Sequence, residues 1–301
     1  MPSDWTFVSV DLELTNRCRN NCLMCPREAI TRSHGIMQKD TFKTVAQKLI
    51  NEGSLIAFSG MGDPLLHPMI FDWIRDIRRR GGDVGIVVNP ASLRKEHIRE
   101  LIESGPNFIT LSFPSLRKDV FERLCPEVSF DIAIERSELL IRLARGNVGL
   151  NVTGILTELN RDERDTYGNF WRETGIPSRM VSCHGRGGNL RLPDIYEPEF
   201  SVRETGVCGL FRFHTFITWE GEVLACCHDL TAATRIGNLV QEEISVIAER
   251  KRKLSGDSMP FPVCRGCDEP LRLCPLPSGF PPENRKERRR FFRTVSRKCL
   301  T

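Results

Sequence analysis

Residues 12–26 read LELTNRCRNNCLMCP and place Cys18, Cys22 and Cys25 at spacings of four and three, directly after an alternating stretch, Phe7 to Leu14, that reads as a strand. Three thiolates this close can hold three irons of a 4Fe-4S cube and leave the fourth iron without a protein ligand, open to a reactant. Two plainer readings compete: a zinc site completed by His34, or three unrelated cysteines. Zinc sites usually come as paired Cys-x2-Cys or Cys/His sets, a pattern that this stretch lacks.

Outward from this loop, short β-branched runs alternate with helical patterns as far as residue 190. The strands expected are Phe7 to Leu14, Leu55 to Phe58, Val84 to Val88, Phe108 to Ser112, Val148 to Val152 and Arg179 to Ser182. Helical periodicity falls on Asp40 to Asn51, Met69 to Arg80, Lys95 to Glu103, Ile132 to Ala144 and Arg161 to Glu173. Strands linked by crossover helices imply a parallel sheet. The fold class expected is α/β: a partial (β/α)6, TIM-like barrel over residues 1–192.

Leu192-Pro193-Asp194 and Glu197-Pro198-Glu199 read as a linker, after which come seven of the chain's 12 cysteines. A hairpin is legible in Thr215 to Thr218 and Glu222 to Ala225, turning at Trp219-Glu220-Gly221, and a helix over Glu242 to Leu254. Residues 193–282 are therefore expected to form a small cysteine-rich α+β domain, with 283–301 a basic tail.

At 301 residues, 40% hydrophobic and 27% charged, the chain reads as globular, with no run of 18 apolar residues and no secretory start. Structural disulfides need an oxidising compartment, so the cysteines point to metal or catalytic sulfur and to a cytoplasmic protein. The formal charge is +4, yet residues 283–298 alone carry a net +6, so the body is slightly acidic. A nucleic-acid groove would spread basic residues over a folded face, so the tail reads as a solvated helix or arm.

The Cys-x3-Cys-x2-Cys triplet after the first strand resembles the hallmark of the radical SAM superfamily, and the resemblance covers residues 7 to 190. It implies that Cys18, Cys22 and Cys25 ligate a 4Fe-4S cluster whose open iron chelates S-adenosylmethionine (SAM), cleaved reductively to a 5′-deoxyadenosyl radical. Met24 stands where many members carry an aromatic residue, and its thioether can pack on adenine. The segment Phe58-Ser-Gly-Met-Gly-Asp-Pro-Leu-Leu resembles the family's Gly-Gly-Glu-Pro segment, which implies that Gly60, Gly62 and Asp63 receive the SAM ammonium group. Asn89, Ser112 and Asn151, at the expected ends of strands three to five, are candidates for SAM ribose or carboxylate, or for local turns and caps.

Cys208, then Gly221, then Cys226, followed by Cys264-Arg-Gly-Cys267, resembles the SPASM/twitch extension of the same superfamily. The resemblance implies that Cys208, Cys226, Cys264 and Cys267 hold one auxiliary 4Fe-4S cluster; a zinc ribbon is the structural alternative. A second auxiliary cluster would need Cys274 and Cys299, and the Cys-x3-Cys step it requires is missing.

Of the remaining cysteines, Cys125 and Cys183 read as buried apolar residues or as hydrogen-atom donors, and Cys227 has no assigned role. Cys183-His-Gly-Arg-Gly-Gly ends the sixth strand, so Cys183, His184 and Arg186 are candidate catalytic residues. The expected function is hydrogen abstraction from a C–H bond of a sugar, a cyclitol or a peptide, for oxidation or other modification. A cysteine-dependent epimerase is the alternative, and a zinc-stabilised nucleic-acid-binding module the alternative of another class. An electron donor such as flavodoxin or ferredoxin is expected, and no membrane. The first strand starts by residue 7, which argues against an N-terminal leader-binding domain; a separate partner could supply one.

Overall fold

The computed structural model describes residues 7–144, 146–190, 192, 194–196, 208–255, 261–265 and 267–269. Cys274, Cys299, Glu197-Pro198-Glu199 and the basic tail lie outside the described residues.

Six parallel strands form the barrel wall: β1 (Ser9–Leu12), β2 (Leu55–Phe58), β3 (Asp83–Val88), β4 (Phe108–Ser112), β5 (Gly149–Leu156) and β6 (Ser178–Ser182). Between them run α1 (Lys39–Glu52), α2 (Ile70–Arg79), α3 (Lys95–Glu103), α4 (Lys118–Leu124), α5 (Phe130–Ala144) and α6 (Arg164–Glu173). α1 shows why these segments are helical: Phe42, Val45, Ala46 and Leu49 recur at helical spacing and are its buried residues. Gly53, at φ 75°, ends the helix by donating to the carbonyls of Ile50 and Leu49. β3 is buried almost throughout, as a parallel strand covered on both faces must be. Gly85 in β3 sits opposite Phe108 of β4, and a Cβ there would lie 2.3 Å from that ring.

The chain then continues the same sheet. After α7 (Gly209–Phe213), β7 (His214–Ile217) pairs parallel with β1 in the register Ser9↔His214, and β8 (Glu222–Leu224) and β9 (Gly237–Asn238) follow antiparallel. The sheet order is β6-β5-β4-β3-β2-β1-β7-β8-β9. The expected hairpin is present, turning through Gly221 at φ 82°. α8 (Ile244–Leu254) and α9 (Pro262–Arg265) complete the described elements. Lys48 of α1 ties this part to the barrel, its Nζ donating to the carbonyls of Leu239 at 3.0 Å and Glu242 at 2.7 Å.

α4 is only seven residues long, too short for periodicity to bring it out of the sequence. One expectation needs correction. β5 runs four residues past Val152, because Gly154 makes room for the Tyr167 ring, 2.8 Å from where its Cβ would be. Asn151 therefore lies near the start of β5, away from the C-terminal strand ends where barrels build their sites.

Candidate active site

The cysteine loop leaves β1 through a pinned base. Thr15 Oγ1 donates to Gly35 O at 2.6 Å, Asn16 Nδ2 to Ser33 O at 2.8 Å, and Gly35 N to Asn16 Oδ1 at 2.9 Å. With both ends fixed, the loop carries Cys18, Cys22 and Cys25 on one excursion above the strand ends. Cys25 N bonds Cys22 O at 3.0 Å, and the Arg27 guanidinium donates to Cys18 O and to Asn21 Oδ1. Burial pushes the thiols of Cys18 and Cys25 up, whereas a hydrogen bond from Cys125 holds Cys22 down. Cys125, at the end of α4, is thereby a neighbour of the triplet; its separation of 103 residues from Cys22 concealed this. His34 is exposed.

The 58–66 segment packs against this loop. Asp63 N donates to Arg17 O at 2.9 Å, and a Cβ on Gly62 would lie 2.1 Å from Thr15 O. Gly60, at φ +153°, passes over Glu13 in the same way. Glu13 in turn receives Arg32 through both oxygens at 2.6 and 2.7 Å and the Met61 amide at 3.1 Å. Asp63 caps its own turn at Leu65 N, 3.0 Å away, and burial pushes its carboxyl up. Asn89 accepts from Ala91 N at 3.0 Å, a local cap. Ser112 is half-buried at the end of β4, outside the lining of the cavity described next.

A cavity of about 400 Å³ spans the gap between β6 and β1/β7, reaching from Met24 on the cysteine loop down to Ser9 and Arg179. Cys183, His184 and Arg186 line it, as expected, joined by residues that sequence reasoning missed: Asp11, Thr153, Arg179, His214, Cys227 and Glu269. The 183–188 turn is held by Asp268, whose two carboxylate oxygens accept from Gly185 N at 2.9 and 2.8 Å. Arg186 adopts φ 50° beside the left-handed Gly187 and Gly188. Burial raises Cys183 to about 11, so it is a thiol at neutral pH.

Next to this cavity, Cys208, Cys226, Cys264 and Cys267 line a second, smaller one, with Glu269 shared between the two. Glu269 Oε2 lies 3.2 Å from His184 Nε2 and 2.8 Å from His228 Nε2. Burial brings His184 down to about 4, so it is neutral. For His228 burial opposes charge, but Cys227 and Glu269 outweigh it and hold the imidazole up at about 9. Burial also works against charge on Glu269, and the hydrogen bond from His228 with the charges of both histidines brings it down to about 2. Neutral His184 thus lies beside this carboxylate, and its Nδ1 is buried, without a hydrogen-bond partner among the described residues and 4.0 Å from Asp268 Oδ1.

The donor sets fit iron–sulfur cubes better than single ions. Thiolates around one zinc ion sit roughly 3.8 Å apart, given a Zn–S bond of about 2.3 Å. Among the described residues, the three ligand atoms found within 4.8 Å of one another belong to His184, His228 and Glu269; neither cysteine set is drawn so tight. All seven cysteines are free thiols, as sulfur ligands of a cluster must be before loading. No helix among the described residues is long and apolar enough to cross a membrane.

A partial barrel with a cysteine triplet at its mouth, joined to a four-cysteine pocket, has the donor sets of an iron–sulfur enzyme. The chain belongs to the radical SAM superfamily, whose family profile matches residues 12–168, and residues 208–268 match the SPASM iron-sulfur cluster-binding domain. Its cofactors are accordingly a 4Fe-4S cluster with SAM, and auxiliary iron–sulfur. The chain is 27% identical, over 57% of its length and 50% of the relative's, to a tungsten-containing aldehyde ferredoxin oxidoreductase cofactor-modifying protein of Pyrococcus furiosus. It is 25% identical, over 59% of its length and 60% of the relative's, to a probable GTP 3′,8-cyclase of Methanothermobacter thermautotrophicus. The matched region thus spans only half to three-fifths of these relatives. Among solved structures, the fold is similar to anSMEcpe with bound SAM (TM-score 0.66, 15% identity, 97% of each chain). It is also similar to BtrN in complex with SAM and 2-DOIA (TM-score 0.58, 18% identity, 88% of this chain and 94% of that one). Streptococcus suis SuiB bound to its precursor peptide SuiA matches at TM-score 0.65 and 14% identity, over 79% of this chain and 64% of that one.

Proposed function

We propose that this chain oxidises a small polar substrate, taking a hydrogen atom from one C–H bond and then one electron and one proton. The observation that carries this reading is Glu269, which lines both the substrate-sized cavity and the four-cysteine pocket and lies 3.2 Å from His184. When bound at Cys18, Cys22 and Cys25 and at Cys208, Cys226, Cys264 and Cys267, the clusters supply reductive cleavage of SAM to a hydrogen-abstracting radical and an acceptor for the substrate's second electron.

The protein's own residues do the rest. Met24, at the top of the cavity, supplies an apolar contact for adenine, and Gly60 and Gly62 bring backbone close to the cysteine loop. His184, neutral and lining the cavity beside Glu269, is the base that receives the substrate proton. Losing that proton turns the substrate radical into a stronger reductant, so a nearby base and a nearby electron acceptor act together. Arg186 contributes positive charge beside Cys25. Among the solved relatives, BtrN with 2-DOIA and SuiB with a peptide mark two substrate classes, and a cavity of about 400 Å³ favours the small molecule.

A second reading, epimerisation, rests on Cys183 as a neutral thiol in the same cavity. One experiment separates the two. Anaerobically reconstituted protein is incubated with SAM, dithionite and a panel of polyols, cyclitols and sugar acids in deuterated water. Oxidation yields 5′-deoxyadenosine with a product two hydrogens lighter; epimerisation yields recovered substrate carrying one solvent deuteron. No 5′-deoxyadenosine with any substrate, from protein with a full iron complement, would refute both.

A further inference from the structure

The floor of the cavity holds two polar groups that the reading above does not use. Arg179 of β6 and Thr153 of β5 are register partners on adjacent parallel strands, and both line the cavity. Arg179 Nε and Thr153 Oγ1 are both out of contact with solvent, and neither has a hydrogen-bond partner among the described residues. A half-buried guanidinium that pairs with no acid among the described residues is only partly hydrated, and a buried hydroxyl without a partner adds to the cost.

The carboxylates of the cavity do not relieve it. Asp11 is taken by His214 Nε2 at 3.1 Å, and His214 is held from its other side by Ser9 Oγ at 2.7 Å. Glu269 is taken by His184 and His228. Both acids lining the cavity are therefore committed to histidines, while Arg179 and Thr153 line the same space side by side. A planar guanidinium with a neighbouring hydroxyl suits an oxyanion, which it can hold through several charge-assisted hydrogen bonds.

We infer that Arg179 and Thr153 form an anion subsite at the floor of the cavity, which binds a carboxylate or phosphate group of the substrate. The inference rests on the cavity being the substrate site, as proposed above. Arg179 lies four residues before Cys183 on an extended strand, about 13 Å at 3.3 Å per residue. The anionic group thus sits at the end of the substrate remote from the reacting carbon near Cys183 and His184. That geometry narrows the substrate to an acid, such as a sugar acid or a sugar phosphate, and excludes a neutral polyol.

The test is calorimetric titration of the SAM-loaded, reconstituted enzyme with inorganic phosphate and, separately, with acetate. SAM is present at saturation so that its own carboxylate is already seated. The wild type is expected to bind at least one of the two anions, with phosphate preferred if the substrate is a phosphate ester and acetate at least equal if it is a carboxylate. Arg179→Gln should weaken that binding at least tenfold, Thr153→Val several-fold, and Arg179→Lys should restore part of it. Removing a half-buried charge that pairs with no acid among the described residues does not threaten folding, so the variants remain informative. Equal anion binding by wild type and Arg179→Gln overturns the inference. So does a loss of SAM affinity in Arg179→Gln, which would assign the guanidinium to SAM. The titration involves no turnover, so failure of the oxidation reading would show in the product assay and failure of the subsite in the titration.

Discussion

The sulfur of Cys125 lies 3.3 Å from the sulfur of Cys22 and donates its proton to it. α4 ends at Leu124, whose carbonyl also accepts from Leu23 N at 2.8 Å, so two bonds clamp the cysteine loop to the barrel at this point. Hydrogen bonds to cluster thiolates favour the reduced, more negative cluster. A bond worth about 0.5–1.5 kcal/mol corresponds to about 20–60 mV for one electron. Cys125→Ala is therefore expected to keep the iron complement and to shift the SAM cluster's midpoint to more negative potential by that amount, read by EPR-monitored redox titration. A midpoint equal to the wild type's would show that the thiol donates nothing to the loaded cluster.

Glu13 anchors the 58–63 segment from below. Its side chain is fully buried and paired with Arg32, itself only 6% exposed. Glu13→Gln leaves the guanidinium buried without its counter-charge, which costs about 3–5 kcal/mol. The expected result is a lower midpoint in chemical denaturation and weaker SAM binding, because the Met61 amide and the Gly60 turn rest on the same carboxylate. Unchanged stability would mean that water reaches Arg32.

How much of this was legible beforehand follows from sequence separation. β2 and β4 fall on their expected residues, because local alternation and short β-branched runs determine them. The cysteine spacings were local as well. What escaped was pairing at a distance: His214 reaches Asp11 across 203 residues, and Cys125 reaches Cys22 across 103. Asp268 and Glu269 directly follow Cys267, so their position held a signal, but only the fold shows that they fasten the 183–188 turn and its histidine. Arg179 and Thr153 were invisible for a related reason: an unpaired cation is recognised only once all its neighbours are known.

His184 predicts a pH dependence of definite sign. Its folded pKa, about 4, lies below the ordinary value of 6.5, so the folded protein favours the neutral ring. Stability from this residue is complete above pH 6.5 and is lost as pH falls from there toward 4. At pH 5.5 the loss is about 1.4 kcal/mol. The unfolding free energy of the wild type should fall more steeply between pH 7 and 5.5 than that of His184→Gln, by about that difference. Parallel pH profiles would place the histidine in water, and with it would go the case for a neutral base.

Lys251 offers the last test, on the auxiliary side. It is fully buried in α8, with Nζ donating to Thr215 Oγ1 at 2.7 Å and to the His214 carbonyl, and lying 5.1 Å from the Phe211 ring centroid. Burial lowers its pKa to about 7, against the opposing pull of Cys208 and Cys226, so the ammonium is close to two of the four thiols. A cation so placed offsets the negative charge that four thiolates bring to a cluster, and it favours reduction. Lys251→Met keeps the length of the stem and removes the charge. The auxiliary midpoint should move to more negative potential by on the order of 100 mV, while the SAM cluster, on the far side of the cavity, should stay within a few tens of millivolts. The two are separable in a variant lacking Cys18, Cys22 and Cys25, which should retain about four irons. An auxiliary midpoint that does not move would mean that Lys251 is uncharged beside the cluster and serves only to satisfy the backbone at His214.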